Sequence, residues 1–393
     1  MNTLHGLDDD RVVVRLVDAL LKNALYAHAS DIHLEPLRDN LRVRYRIDGQ
    51  LYDQDPIEQT LALQIISRLK VLARINIAQR RIPQDGKLLF MCEGREIDVR
   101  VSTFPSLYGE HLVLRLLDNT EHMMQLPMLG FSPAMLVSFR KLLSQPHGLL
   151  LVTGPTGSGK TTTLYAALAE LNSAAKHIIT LEDPVEYSVD GITQGHINPD
   201  AGFTFESGVR AMLRQDPDIL LVGEIRDRQT ARIAIEAALT GHLVLSTLHT
   251  NDAPSAIARL MDMGVEPFLI NASLIGVLAQ RLVRVLCNAC KQPYEPNQQE
   301  HDFLTRFAPH ESATVMQAVG CQACNNTGYK GRIGVFELLT VTHAMRSLIV
   351  SHPVIEDIYC QATRDGVQPM VHDACNKVCN GITTIYEALS VIS

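Results

Sequence analysis

The sequence predicts an α/β protein of two domains, a small mixed-sheet domain followed by a doubly wound parallel core. Three observations carry this expectation. A chain of 393 residues exceeds one ordinary core, and 46% hydrophobic against 20% charged residues supplies enough apolar surface to fold. Short alternating runs fill the first third, whereas later apolar runs are separated by helical stretches, the pattern of parallel strands joined by crossover helices. A glycine-rich segment ending in Gly-Lys-Thr directly follows the first of those later runs.

The elements follow in chain order. Asp8 to Ala29 reads as a helix, because Val12, Val13, Leu16, Leu20 and Ala24 recur at helical spacing, with Asp8 to Asp10 capping its positive end. Asp31–Glu35, Leu41–Ile47, Ile97–Val101 and His111–Leu116 suit strands of a small sheet, with Leu61–Ala78 as a helix between them. Residues 1–118 form the first domain. A connector, 119–128, is rich in methionine and polar residues and leads into the second domain, 129–393. There Gly148–Thr153, His177–Leu181, Ile219–Val222 and Leu243–Thr247 read as buried strands. A cysteine-rich stretch, 286–334, interrupts the alternation, and helical pattern returns over 343–393.

Charge and hydropathy exclude several classes. The chain holds 35 basic and 43 acidic residues, a net charge of −8, and its isoelectric point is near 6.0. A protein built to wrap nucleic acid needs a broad basic surface instead. The uncharged stretch Pro267–Gln280 spans 14 residues and carries Asn271, Ser273 and Gln280, too short and polar to cross a bilayer. Met1 to Arg15 has three consecutive acids and no basic segment before an apolar run, so no signal peptide is expected and the chain reads as soluble and intracellular.

The strongest motif is Gly154-Pro155-Thr156-Gly157-Ser158-Gly159-Lys160-Thr161, continued by Thr162, after the apolar run Leu149–Val152. Its glycines let backbone N–H groups close around a diphosphate at the positive end of the next helix. Lys160 would reach the β- and γ-phosphates and Thr161 would ligate Mg²⁺, so a nucleoside triphosphate is the expected ligand. Ile219–Val222 ends in Gly223-Glu224, like a Walker B strand whose usual aspartate is a glycine. Glu182-Asp183-Pro184-Val185-Glu186 closes another strand, and Leu243–Thr247 delivers His249. All lie at strand C-terminal ends, where α/β sheets bind ligands.

Of eight cysteines, four form two Cys-x-x-Cys pairs, Cys287/Cys290 and Cys321/Cys324. Without a secretory signal, such pairing favours metal over disulfide. Four sulfurs suit tetrahedral Zn²⁺ in a closed structural site, with an iron–sulfur site or unligated thiols as competing readings. Cys92, Cys360, Cys375 and Cys379 receive no role.

Read together, these segments resemble the secretion ATPases of type II secretion and type IV pilus assembly, from Ser30 almost to the C-terminus. The resemblance rests on Ser30-Asp-Ile-His-Leu-Glu-Pro36, Pro83-Gln-Asp-Gly86, the phosphate loop, Glu182–Glu186, Arg214-Gln-Asp-Pro-Asp218 running into Gly223-Glu-Ile-Arg-Asp227, and Gly241–Asp252. It implies a PAS-like α/β domain ahead of a RecA-like motor domain, with ATP, Mg²⁺ and Zn²⁺ as cofactors. It also implies a cytoplasmic homo-hexamer at the inner face of the inner membrane, peripheral there through a platform protein and a membrane-anchored component. In such a ring Arg100 and Arg115 would reach the γ-phosphate from the first domain, with 119–128 as the hinge. Arg210, Arg214 and Arg226 would join the interface network. Glu224 would be the base or water-orienting group, Glu182 the metal- and water-side acid, and His249 a γ-phosphate sensor.

The four-cysteine insertion belongs to assembly and secretion members, whereas retraction ATPases typically lack it. Two departures stand out. The family motif Gly-Glu-Arg reads Gly109-Glu110-His111 here, and the longer extension that many members place ahead of Ser30, which docks on the membrane-anchored component, is not matched. The competing class is a RecA-like nucleic-acid translocase or conjugation-type ATPase. The acidic balance, zero tryptophans and lack of a basic–aromatic stripe disfavour it, and no nucleic-acid partner is expected. A secretion pseudopilus and a true pilus remain equally compatible with the sequence.

Overall fold

A computed structural model describes residues 5–118, 124–308 and 315–391, and the chain divides into two units, Met1–His122 and Met123–Ser393. The first unit runs α1 (His5–Tyr26), β1 (Ala29–Pro36), β2 (Asn40–Ile47), β3 (Gln50–Asp53), β4 (Ile57–Glu58), α2 (Gln59–Leu72), β5 (Gln84–Cys92), β6 (Arg95–Ser106) and β7 (Gly109–Asp118). Its strands pair antiparallel in the order β3-β2-β1-β7-β6-β5, with β4 beside β2.

Period-two alternation turns Ile32, Leu34, Val43, Val99, Val101, Leu112 and Leu114 inward, where they meet Val13, Val17 and Leu21 of α1 and Ile65, Ile66 and Leu69 of α2. Each such fully buried aliphatic side chain contributes about 1.5–3 kcal/mol. The opposite face is charged: β1 sets Asp31, His33 and Glu35 directly across from Arg46, Arg44 and Arg42 of β2.

The helix expected over Leu61–Ala78 stops at Leu72. Lys70 lies buried near its end and donates to the Glu110 carboxylate and to Gln79 O, both at 2.6 Å, which draws the following segment back onto the sheet. The first helix begins at His5, so Asp8 to Asp10 fall within it rather than ahead of it. Strands β3, β4 and β5 were not foreseen.

The second unit opens on a 3₁₀ turn, Leu126–Leu129. The expected connector overlaps this turn, and its residues 119–123 lie outside the described residues. There follow α3 (Pro133–Leu143), β8 (Gly148–Thr153), α4 (Lys160–Leu171), β9 (Ile178–Glu182), β10 (Thr193–His196), α5 (Phe205–Met212), β11 (Ile219–Val222), α6 (Arg228–Leu239), β12 (Leu243–Leu248), α7 (Ala253–Asp262) and α8 (Pro267–Ser273). Then come β13 (Leu274–Leu286), β14 (Gln292–Pro293), α9 (Gln298–Phe307), β15 (Met316–Gln317), β16 (Tyr329–Thr340), α10 (His343–Val350), α11 (Ile355–Arg364), α12 (Met370–Cys379) and α13 (Ile385–Ser390).

The seven-stranded sheet runs β10-β9-β11-β12-β8-β13-β16, parallel except for the β13–β16 hairpin. Every residue of β8, β11 and β12 is buried, as expected for strands covered on both faces. One core lies under α5–α8 and α10–α13, and another under α3 and α4. After β8 the chain first builds one side of the sheet and later returns with β13 on the other, so the loop after β8 sits at a switch point. Among the described residues, no helix is long and apolar enough to cross a membrane.

Candidate active site

The loop between β8 and α4 turns where only glycine is comfortable. Gly154 has φ +149° and Gly159 φ +87°. A Cβ on Gly154 would stand 2.3 Å from Gln280 O, and one on Gly159 would stand 2.8 Å from Gln280 Nε2. Gln280, on β13, therefore forms the floor of the loop, and its Oε1 accepts from Thr163 of α4 at 2.7 Å. Sequence reasoning missed this residue. Its signal was a polar side chain closing the apolar run Leu274–Ala279, and it is fully buried.

Lys160 folds back over the loop and donates to Gly154 O (2.8 Å) and Pro155 O (2.9 Å). Burial pushes its pKa down, and the Glu224 carboxylate pulls it back up. Ser158 Oγ is buried in the same loop without a hydrogen-bond partner. Pro155, Thr156, Gly157 and Thr161 are exposed, and Thr162 is half-buried. An open row of backbone amides at a helix start, with a retractable lysine, is a cradle for phosphates.

Neighbouring strand ends are tied to this loop. Thr153 Oγ1 meets Thr250 N at 2.9 Å and Thr250 Oγ1 at 2.7 Å, fixing the loop after β12. Thr247 Oγ1 donates to Gly223 O at 2.8 Å. Gly223 is packed against β9, where an added Cβ would lie 3.2 Å from Leu181 O, a tight contact. Glu224 then projects from the end of β11. Arg226 pairs with its Oε1, and His249 Nε2 lies 3.4 Å from its Oε2. The structure thus brings Lys160, Glu224, Arg226 and His249 to one sheet edge.

Glu182 lies at the end of β9 but turns inward. Tyr165 donates to its Oε2 and Thr180 to its Oε1 (2.6 Å), with Gln194 Nε2 at 3.4 Å, and the side chain is buried. Burial, followed by the Glu182 carboxylate, raises the Tyr165 pKa far above its ordinary value, so Tyr165 stays a donor. Tyr165 is a second residue the sequence reading passed over. Arg210 pairs with Glu206 one turn earlier on α5 (3.3 Å), and Arg214 Nη1 donates to Arg210 O (2.9 Å).

In the first unit, Arg100 of β6 stands across from Arg115 of β7. Arg115 Nε donates to Asp31 Oδ1 at 3.0 Å. Both arginines line a cavity of about 570 Å³ with Asp31, Asp85 and Lys87.

Cys287, Cys290, Cys321 and Cys324 converge in the second unit. Bonds of about 2.3 Å from sulfur to tetrahedral zinc imply sulfur–sulfur separations of about 3.8 Å. The observed separations are 3.9 Å for Cys287–Cys321, 3.8 Å for Cys290–Cys324 and 3.7 Å for Cys321–Cys324. Burial opposes a thiolate at Cys324, yet N–H groups of Cys321 and Gly328, each 3.2 Å away, bring its pKa down to about 6. The four residues fit a zinc ion.

Comparison with known proteins matches this architecture. Residues 6–390 match the model of the Type II/IV secretion system protein family. The chain is 50% identical over 385 residues to Type II secretion system protein E of Pseudomonas aeruginosa, an alignment covering 98% of this chain and 76% of the relative. It is 47% identical over 386 residues to Type II secretion system ATPase E of Vibrio cholerae, with the same coverage. Among solved structures, the pilus retraction motor PilT with bound ADP superposes with a TM-score of 0.64 at 26% identity, covering 95% of this chain and 96% of that one. With the family model matched over residues 6–390 and half of the aligned residues identical to a curated relative, the chain belongs to the type II/IV secretion system protein family.

Proposed function

We propose that this chain, an ATPase of the secretion family, uses ATP hydrolysis to drive assembly of a pseudopilus or pilus. The observation that carries the reading is Glu224, held between Arg226 and His249 at the strand end beside the Lys160 loop. Backbone amides of 154–162 would cradle the diphosphate, and Lys160 would leave its two carbonyls for the β- and γ-phosphates. The Thr161 hydroxyl would hold Mg²⁺, which when bound offsets phosphate charge. Glu224 accepts from, or orients, the attacking water, and His249 senses the γ-phosphate through the same carboxylate. Glu182 would serve on the metal side after release from Tyr165 and Thr180.

The first unit is PAS-like in this reading and works in a cytoplasmic homo-hexamer at the inner-membrane face, partnered by a platform protein. There Arg100 and Arg115 complete the site, Arg210 and Arg214 join the network, and 119–128 is the hinge. The tetrad, as a closed Zn²⁺ site, favours the assembly or secretion branch over retraction. The test is turnover against binding. Glu224→Gln should keep ATP affinity and lose hydrolysis, since size is preserved and the carboxylate is removed. Lys160→Ala should lose most turnover. Normal steady-state turnover in both variants refutes the assignment.

A further inference from the structure

We propose a second metal site, in the N-terminal unit: a divalent transition ion of the zinc class held by His33 and Glu35 of β1 and His111 of β7. The fold makes this trio. His33 and Glu35 are two apart on β1, so both emerge on the charged face of the sheet. The antiparallel pairing of β1 with β7, in which Leu34 faces Leu112, sets His111 beside them. One donor atom from each of the three lies within 4.8 Å of the other two.

The decisive observation is that both imidazoles leave a nitrogen stranded. Nε2 of His33 and Nε2 of His111 are shielded from solvent and have no hydrogen-bond partner. His111 Nε2 is 4.0 Å from the nearer Glu35 oxygen, beyond hydrogen-bond reach. A buried polar group left unpaired is costly, and two lie side by side on rings stacked at 5.9 Å. A cation accepting both lone pairs relieves both costs at once.

Donor chemistry selects the ion. Two imidazoles and a carboxylate suit zinc and its transition-metal neighbours, not calcium or magnesium, which take oxygen ligands. Bonds of about 2.0–2.2 Å put donors about 3.4 Å apart, so the trio must close by about an ångström through side-chain rotation. Arg44 bonds the same carboxylate, and Arg42 approaches its other oxygen at 3.8 Å. These contacts orient Glu35 as an outer shell would, while their charge weakens the ion's affinity. Three protein ligands leave a position for water, so this site exchanges its metal, unlike the closed tetrad.

The experiment is zinc titration of untagged, metal-stripped full-length chain, with bound metal measured by elemental analysis. Two equivalents per chain are expected. His111→Arg should weaken the second by roughly tenfold or more, since even outer-shell losses at metal sites cost 10–100-fold. The Cys287→Ser/Cys321→Ser variant should keep one equivalent. Cobalt supplies an independent readout on the unaltered protein. The tetrad adds strong sulfur-to-metal absorption, and the second equivalent should add only weak ligand-field bands. Saturation at one equivalent, a second equivalent unchanged in His111→Arg, or a second equivalent with thiolate absorption each overturns the proposal. If His111→Arg fails to fold by circular dichroism, the cobalt spectrum decides.

Discussion

Removing one hydroxyl tests how the β9 acid is held. In Tyr165→Phe the ring still packs edge-on against Tyr187, with centroids 4.6 Å apart, so the substitution deletes the hydroxyl alone, as donor to Glu182 and as a weaker acceptor from Gln194 Nε2 at 3.4 Å. The donor it deletes serves a buried carboxylate, Glu182 Oε2, whose other oxygen keeps Thr180 at 2.6 Å. A hydrogen bond to a charged group contributes about 1.5–3 kcal/mol, and a buried oxygen left bare gains no water in exchange. The expected loss therefore lies in that range, a rise of about 10- to 150-fold in the local opening equilibrium. Unfolding of a two-unit chain need not be two-state, so native-state hydrogen exchange over Ile178–Glu182 is the better assay. A Glu182→Gln background supplies the control, because the two changes should be strongly non-additive. A loss under about 0.5 kcal/mol, or full additivity, would show that Tyr165 does not hold Glu182, and that the acid is free to face the nucleotide without rearrangement.

Two further outcomes are expected. Protein prepared without added metal should carry zinc at the tetrad, and Cys287→Ser/Cys321→Ser should release that zinc and speed proteolysis between β13 and β16, because structural zinc is coupled to folding; retention of tetrad zinc, read as surviving cobalt–thiolate absorption, would refute the ligand set. Burial raises the Glu337 pKa from 4.5 to about 7, with N–H donation from Ala253 and Met370 acting against the shift. The native state thus binds this proton more tightly than the unfolded chain, so the contribution is complete below about pH 4.5 and lost as pH rises through about 7, roughly 3 kcal/mol in all. Denaturant midpoints followed against pH should fall less steeply in Glu337→Gln, and parallel curves would refute the assignment.

Local patterns made half of this architecture readable in advance. The phosphate loop was legible because its glycines occupy positive φ, a requirement no other residue type meets easily. The buried strands β8, β11 and β12 were legible as unbroken apolar runs bounded by turn residues. By contrast β13 was not, since Pro267–Leu286 holds a short helix and a strand in one apolar stretch that periodicity cannot divide. Strand β5 hid for a related reason: Leu89 and Met91 are apolar yet exposed, so alternation with Leu88 and Phe90 was blurred. At the site, the acids and histidine at strand ends could be named from motif order. Gln280 and Thr153 could not, because each works through a partner far away in the chain, Thr163 and Thr250.

Strand β13 passes under the nucleotide loop at its midpoint, Gln280, and ends one residue before Cys287. Its hairpin with β16 is sealed on both sides of the cysteine stretch: Leu286 is paired with Tyr329, and Cys287 N donates to Gly328 O at 2.9 Å. Beyond that seam, Leu304, Ala308 and Val315 pack into the larger core of the unit. The stretch is thus held twice, at this stem and by burial against the core that Val277, Ala279 and Val283 of β13 also line, so the nucleotide loop and the cysteines share one packed support.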